Sequence, residues 1–128
     1  MVLPLYRFCL RLFRPALEAY LQRRLVRGKE DAARLGERMG QPSKARPEGA
    51  LIWLHAASVG ESISLLSVVD YLGREHPDIS LLLTTGTVTS AKLMESRLPH
   101  RVIHQYVPVD HPDWAERFVD HWRPDLVL

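Results

Sequence analysis

The apolar run LIWLHA at residues 51–56 has the length and composition of a buried strand. Residues 61–75 follow it with the spacing of a helix, and a second apolar run occupies residues 79–84. An apolar strand, a helix of 10 to 15 residues and another apolar strand form a βαβ unit, in which the two strands pair in parallel. The sequence therefore predicts an α/β fold.

The same alternation continues to the last residue. It predicts a helix at 90–98, a strand at 102–107, a helix at 112–122 with Asp110 as a possible cap, and the start of a strand at 124–128. We therefore expect a Rossmann-like parallel sheet with helices on both faces. The last strand has no helix behind it, so we expect a truncated sheet.

The amino-terminal segment is basic. Residues 1–30 hold seven basic and two acidic residues, a net charge of +5, although the whole chain carries only +2. A basic head on a mildly acidic body predicts an anionic surface as partner and argues against a general nucleic-acid binder. The polar segment 41–49 separates this head from the rest, which divides the chain into an arm with its linker at 1–49 and a domain at 50–128.

The head is also amphipathic. Arg7, Arg11 and Arg14 line one helical stripe, and apolar side chains such as Phe8 and Leu12 occupy the opposite side. This pattern fits a helix that lies in the headgroup layer of an anionic membrane, with the three arginines as membrane contacts. It fits equally a helix packed on the protein's own core with solvated arginines, and spacing alone does not separate the two. The charge-free stretches are shorter than the roughly 20 residues of a membrane span.

Ligands of open parallel sheets bind beyond the carboxyl ends of the strands. Three loops fall there, at residues 57–61, 85–89 and 108–111. None carries a dinucleotide fingerprint or a P-loop, and the cysteine and histidines lack metal-ligand spacing. We therefore expect neither a metal nor a cofactor.

The first two loops hold the candidate site residues. Ser58 and Gly60 permit a close backbone approach, and Glu61 stands where a helix begins, as a candidate base or merely as a complement to the positive helix end. In the second loop, the turn Thr85-Gly86-Thr87 opens a helix and is a candidate phosphate site. Its alternative is an ordinary N-cap by Thr87 or Thr89.

Six motifs, in register over nearly the whole chain, resemble the amino-terminal half of bacterial 3-deoxy-D-manno-octulosonic acid (Kdo) transferases. They are RGKE at 27–30, RLGERMG at 34–40, WLHAASVGE at 53–61, TTGTVTS at 84–90, HQYVPVD at 104–110 and WRPDL at 122–126.

The resemblance implies a two-domain glycosyltransferase of GT-B architecture at the cytoplasmic face of the inner membrane. Such enzymes move Kdo from CMP-Kdo to a phosphorylated lipid A precursor, with inversion and without a metal. The family's general base, the glutamate of its Ser-x-Gly-Glu loop, falls on Glu61, and such a base works within about 3 Å of the acceptor hydroxyl. The turn Thr85-Gly86-Thr87 and the basic head would then meet the lipid.

The resemblance also implies a nucleotide-binding domain after residue 128. We therefore expect these 128 residues to be the acceptor-binding half of a longer enzyme and to be inert alone. The alternative is a membrane- or lipid-binding α/β module without chemistry.

Overall fold

The computed structural model describes residues 2–128 of the chain. The helices and strands alternate as predicted from residue 51 onward. In chain order the elements are α1 (Val2–Leu12), α2 (Arg14–Val26), a 3₁₀ helix (Ala32–Met39), β1 (Leu51–Ala56), α3 (Val59–Glu75), β2 (Ser80–Thr85), α4 (Val88–Arg97), β3 (Val102–Tyr106), α5 (Pro112–Trp122) and β4 (Leu126–Val127).

The four strands form one parallel sheet in the order β3-β2-β1-β4. One face, which includes Leu54 and Leu83, packs with residues of α3 and α4 such as Val69. The other face packs on Phe118 and Trp122 of α5. Helices thus cover both faces, which confirms the predicted parallel α/β architecture.

Three helices after β1 begin at side-chain caps. Ser58 accepts the amide of Glu61, and Thr87 accepts the amide of Ser90. For α5 the cap is His111, whose ring accepts the amide of Asp113. The expectation that Asp110 caps α5 is wrong, because its carboxylate accepts the hydroxyl of Tyr6 at 2.8 Å instead.

The head forms two helices that break at Phe13, before Pro15. Gly28 follows α2 with a φ of +74°, a left-handed conformation that suits glycine after a helix. The next segment is a 3₁₀ helix capped by Asp31 and ended by Gly40, whose φ is +75°.

The 3₁₀ helix covers the outer edge of the sheet at β3. Its Glu37 accepts the amide of Tyr106 and two bonds from Arg34, all at 2.8 Å, and Arg34 also donates to the carbonyl of His104. These hydrogen bonds satisfy backbone groups of β3, the His104 carbonyl and the Tyr106 amide, that would otherwise be unpaired at the edge of the sheet. Part of the segment that we assigned to the arm therefore contacts the sheet directly, while the boundary at residue 49 stays a prediction.

Candidate functional site

The first two candidate loops leave the sheet side by side. Ala56 and Thr85, the last residues of β1 and β2, are register partners in neighbouring strands. The β1–α3 loop and the β2–α4 loop therefore meet at the carboxyl edge of the sheet, which is where ligands of open α/β sheets bind.

Glu61 is held at the start of α3 by two hydrogen bonds. Its amide donates to Ser58 Oγ at 3.1 Å, and its carboxylate Oε2 accepts the amide of Ala57 at 2.6 Å. This reciprocal arrangement resembles a capping box and orients the side chain. The side chain is exposed, and within residues 2–128 neither a cation within 4 Å nor a bond to Oε1 is found. One carboxylate oxygen therefore serves the helix end, and the other is open to solvent.

The glycines of the two loops have space around them. A β-carbon at Gly60 would meet its nearest neighbouring atom, Ser58 Oγ, at 3.9 Å, and one at Gly86 would meet Val107 at 3.9 Å. Neither glycine has a positive φ. Neither backbone strain nor packing within the chain therefore requires glycine at these two positions.

The threonines of the second loop are engaged within the fold. Thr85 is fully buried, and its hydroxyl lies 2.9 Å from Nε2 of His104. Thr87 uses its hydroxyl to cap α4, as the alternative reading of this turn proposed, whereas Thr89 does not cap the helix. A role for this turn in substrate binding stays a prediction, and it would rest on backbone groups and Gly86.

A buried histidine lies beneath this loop. Arg34 Nη2 is 3.0 Å from Nδ1 of His104, and because a guanidinium only donates, Nδ1 must accept. Nε2 then carries the proton and donates to Thr85. Burial, reinforced by the charge of Arg34, lowers the pKa of His104 from 6.5 to about 4. The ring is therefore neutral at physiological pH.

A second polar cluster near the loops was not anticipated from the sequence. Thr84 Oγ1 lies 2.8 Å from the indole nitrogen of Trp53 and 2.9 Å from Nδ1 of His55. An indole only donates, so the buried Thr84 hydroxyl accepts from Trp53, and a second hydrogen bond joins this hydroxyl to Nδ1 of His55. The sequence signal for this cluster is the polar residues at the ends of two otherwise apolar strands, His55 in β1 and Thr84 in β2.

The arginines expected to contact a membrane are paired. Arg7 lies 3.7 Å from Glu116 and Arg11 lies 3.0 Å from Asp113, both on α5, while Arg14 pairs with Glu18 within the arm. The arm thus turns its basic stripe toward the domain.

The apolar side of α1, opposite the arginines, faces solvent, and its exposed side chains are Leu5, Phe8 and Leu12. In α2, by contrast, Leu21 is buried in the core. Packing on the protein's own core, the alternative to membrane contact, therefore occurs in α2 and not through this side of α1. Of the helices in the described part, none combines the length and apolarity that a bilayer crossing requires. Residues 2–128 also contain no group of three or more His, Cys, Asp or Glu that could hold a metal ion.

The chain is similar to known proteins over most of its length. The family model described as 3-deoxy-D-manno-octulosonic-acid transferase matches residues 33–128. The chain belongs to this family. The match includes both loops at the carboxyl edge of the sheet, and nothing in the comparisons supports a module without chemistry.

Three relatives show the extent of the similarity. The chain is 37% identical to a probable mitochondrial 3-deoxy-D-manno-octulosonic acid transferase of Arabidopsis thaliana, over 89% of this chain and 26% of that protein. It is 38% identical to the transferase of Rickettsia bellii, over 95% and 29% of the two chains, and 31% identical to that of Haemophilus influenzae, over 96% and 29%. The chain thus spans less than a third of the length of these relatives. No solved structure matches it.

Proposed function

We propose that the chain forms the acceptor side of a glycosyltransferase that moves Kdo from CMP-Kdo to a lipid A precursor. The observation that carries this proposal is the carboxylate of Glu61, which is oriented by Ser58 and Ala57 and keeps one oxygen open at the carboxyl edge of the sheet. Membership of the transferase family supports the reaction class.

In the proposed reaction Glu61 Oε1 takes the proton of the acceptor hydroxyl. The hydroxyl oxygen forms a bond to the anomeric carbon of Kdo from the face opposite to the nucleotide. The bond between this carbon and the phosphate oxygen breaks, and CMP leaves with the electron pair. This displacement inverts the anomeric centre. A positioned base of this kind contributes roughly 10² to 10⁴ in rate.

The small residues of the two loops would admit the acceptor. The open space beside Gly60 and Gly86 supports this role, because a glycine that packing does not require leaves room for a ligand to approach the backbone. Ser58 would position Glu61, because its hydroxyl accepts the amide of Glu61 at the start of α3. Thr85 and Thr87 would act as supports for the backbone of the turn.

A chimera tests the reaction. Residues 1–128 would replace the aligned segment of the Haemophilus influenzae transferase, and Kdo transfer from CMP-Kdo to lipid acceptor would be measured by thin-layer chromatography. We expect transfer by the chimera and none by the 128 residues alone, because the resemblance places the sugar-nucleotide site in the carboxy-terminal domain. A folded chimera that binds CMP-Kdo but transfers no sugar would contradict the assignment.

We further propose that the exposed side of α1 lies on an anionic membrane, at the cytoplasmic face of the inner membrane. The ion pairs of Arg7 and Arg11 with α5 would hold the helix so that its apolar side faces outward. Partial burial of such side chains in the lipid interface favours binding by roughly 0.8 kcal/mol per buried CH₂ group.

Vesicle flotation tests the membrane contact on the whole chain. Phe8→Ser combined with Leu12→Ser should reduce the bound fraction on vesicles with phosphatidylglycerol, whereas Ile63→Ser and Tyr71→Ser, at exposed positions of α3, should leave it unchanged. Equal flotation of both double variants would remove α1 from this role.

A further inference from the structure

A basic cleft of about 580 Å³ opens where the end of α2 approaches the start of α4. Its volume lies within the range of about 300 to 1,000 Å³ that is usual for small-molecule sites. The lining holds three cationic side chains, those of Arg24, Lys29 and Lys92, and no carboxylate. Gly28, Thr87 and Thr89 also line the cleft.

A second cleft of about 300 Å³ continues this surface. It shares Arg24 and Lys29 with the first and adds Arg23 and Arg27. Apart from Arg24, none of these basic residues has a carboxylate within 4 Å in the described part of the chain, and the same holds for Lys92. The surface therefore carries positive charge that the protein does not neutralise, which attracts anions.

Arg24 provides a fixed point in this cleft. Its Nε donates to the buried carboxylate of Glu30 at 2.8 Å, and its Nη2 lies 3.4 Å from the carbonyl of Lys29. Glu30 is also 3.5 Å from Arg38, so this carboxylate is shared between two cations. The guanidinium of Arg24 is thus oriented in advance, while the lysine side chains around it remain free to adapt to a ligand.

The backbone on both sides of the cleft adds to this preference. The first amides of α4 have no acceptor within the helix, and their dipoles favour a negative charge. On the other side, a β-carbon at Gly28 would find no atom within 4 Å, so the wall is open there.

We propose that this basic cleft binds a phosphate monoester, carried by a lipid substrate at the membrane surface. A phosphate dianion offers several acceptor oxygens and two negative charges, which match a fixed guanidinium, mobile ammonium groups and free amides together. The cleft adjoins the β2–α4 loop through Thr87, so a phosphate bound here would bring its lipid to the carboxyl edge of the sheet. The identity of that lipid as the acceptor rests on the proposed function, whereas phosphate binding itself does not.

Nuclear magnetic resonance of the whole chain tests the cleft with inorganic phosphate as the probe. We expect amide shifts around Gly28 and the start of α4. Combined Lys29→Gln and Lys92→Gln should weaken phosphate binding at least tenfold. The matched control, Lys44→Gln with Arg74→Gln, removes the same charge at exposed sites outside the cleft and should change binding less than twofold. If phosphate shifts no amide of the cleft, or if the two double variants weaken binding equally, the cleft is not a phosphate site. Neither result would bear on the role of Glu61.

Vesicles identify the source of the phosphate. Vesicles with phosphatidic acid present a phosphate monoester, and those with phosphatidylglycerol, matched in total charge, present only a diester. We expect the combined substitution of Lys29 and Lys92 by Gln to lower binding to phosphatidic acid vesicles at least fivefold more than binding to phosphatidylglycerol vesicles. An equal loss on both vesicles would reject recognition of a lipid monoester.

Discussion

Acid should destabilise the chain in part through the buried ring of His104. Its pKa is about 4 in the folded chain, against 6.5 for an ordinary histidine. Between these values the unfolded chain binds a proton that the folded chain excludes, so the free energy of unfolding falls as the pH falls. At pH 7 the ring is neutral in the folded chain and mostly neutral in the unfolded chain, so its effect there is small. The full loss accumulates well below pH 4, and 2.5 pKa units correspond to about 3 kcal/mol.

Urea unfolding at pH 7 and pH 5, followed by circular dichroism, measures this loss. We expect the contribution of His104 over this interval to be about 2 kcal/mol. Its substitution His104→Gln keeps an acceptor for Arg34 and a donor for Thr85 but does not titrate, so the variant should lose about 2 kcal/mol less. Burial also lowers the pKa of His111, and for this reason only the difference between wild type and variant is assigned to His104. An equal loss in both proteins would refute the assignment.

Four further substitutions test other parts of the structure. Gly40→Ala should cost more than 2 kcal/mol in urea unfolding, because its β-carbon would collide with the carbonyl of Trp114 at a positive φ, whereas Gly49→Ala should cost about 1 kcal/mol for its φ alone. Glu37→Ala should cost about 3 kcal/mol by the same measurement, because it removes the buried carboxylate that pairs with Arg34 and accepts the amide of Tyr106. A loss below 1 kcal/mol would contradict this. Gly60→Ala should preserve the melting temperature but raise the KM for lipid acceptor in the chimera, and an unchanged KM would remove this glycine from the site.

The strands and helices from residue 51 onward were predictable because parallel strands buried on both faces leave continuous apolar runs. The predicted helix at 61–75 begins at Val59, and that at 90–98 spans Val88–Arg97. Both helices begin two residues earlier than predicted, because each starts directly after its cap, Ser58 or Thr87.

The cover of β3 was not predictable from local pattern. Charged residues such as Arg34 and Glu37 ordinarily indicate a solvated face, yet here the Glu37 side chain is 2% exposed. Its partner Tyr106 is 69 residues away along the chain. Such long-range pairing depends on which strand ends at the edge of the sheet, and periodicity holds no information on that.

The orientation of the arm was ambiguous for a similar reason. The pattern showed two sides of a helix, but which side meets the domain depends on the carboxylates of α5. Glu116 and Asp113 attract the basic stripe, and the apolar side is left outward.

The position of the candidate site was predictable, whereas its internal bonds were not. The topology rule places the loop of Glu61 beside the loop of Gly86, because β1 and β2 are neighbouring parallel strands. The hydrogen bond from Ala57 to Glu61 and the one between Thr84 and His55 depend on side-chain geometry that no spacing specifies.

The rate of Kdo transfer by the chimera with Glu61→Gln tests the central claim most directly. The amide keeps an acceptor for the Ala57 N–H and should preserve the fold, but it accepts no proton, so kcat should fall by roughly 10² to 10⁴ with acceptor binding retained. The matched control Glu75→Gln, at the other end of the same helix, should keep kcat within twofold. A Glu61→Gln chimera that turns over at the normal rate would show that another group removes the proton.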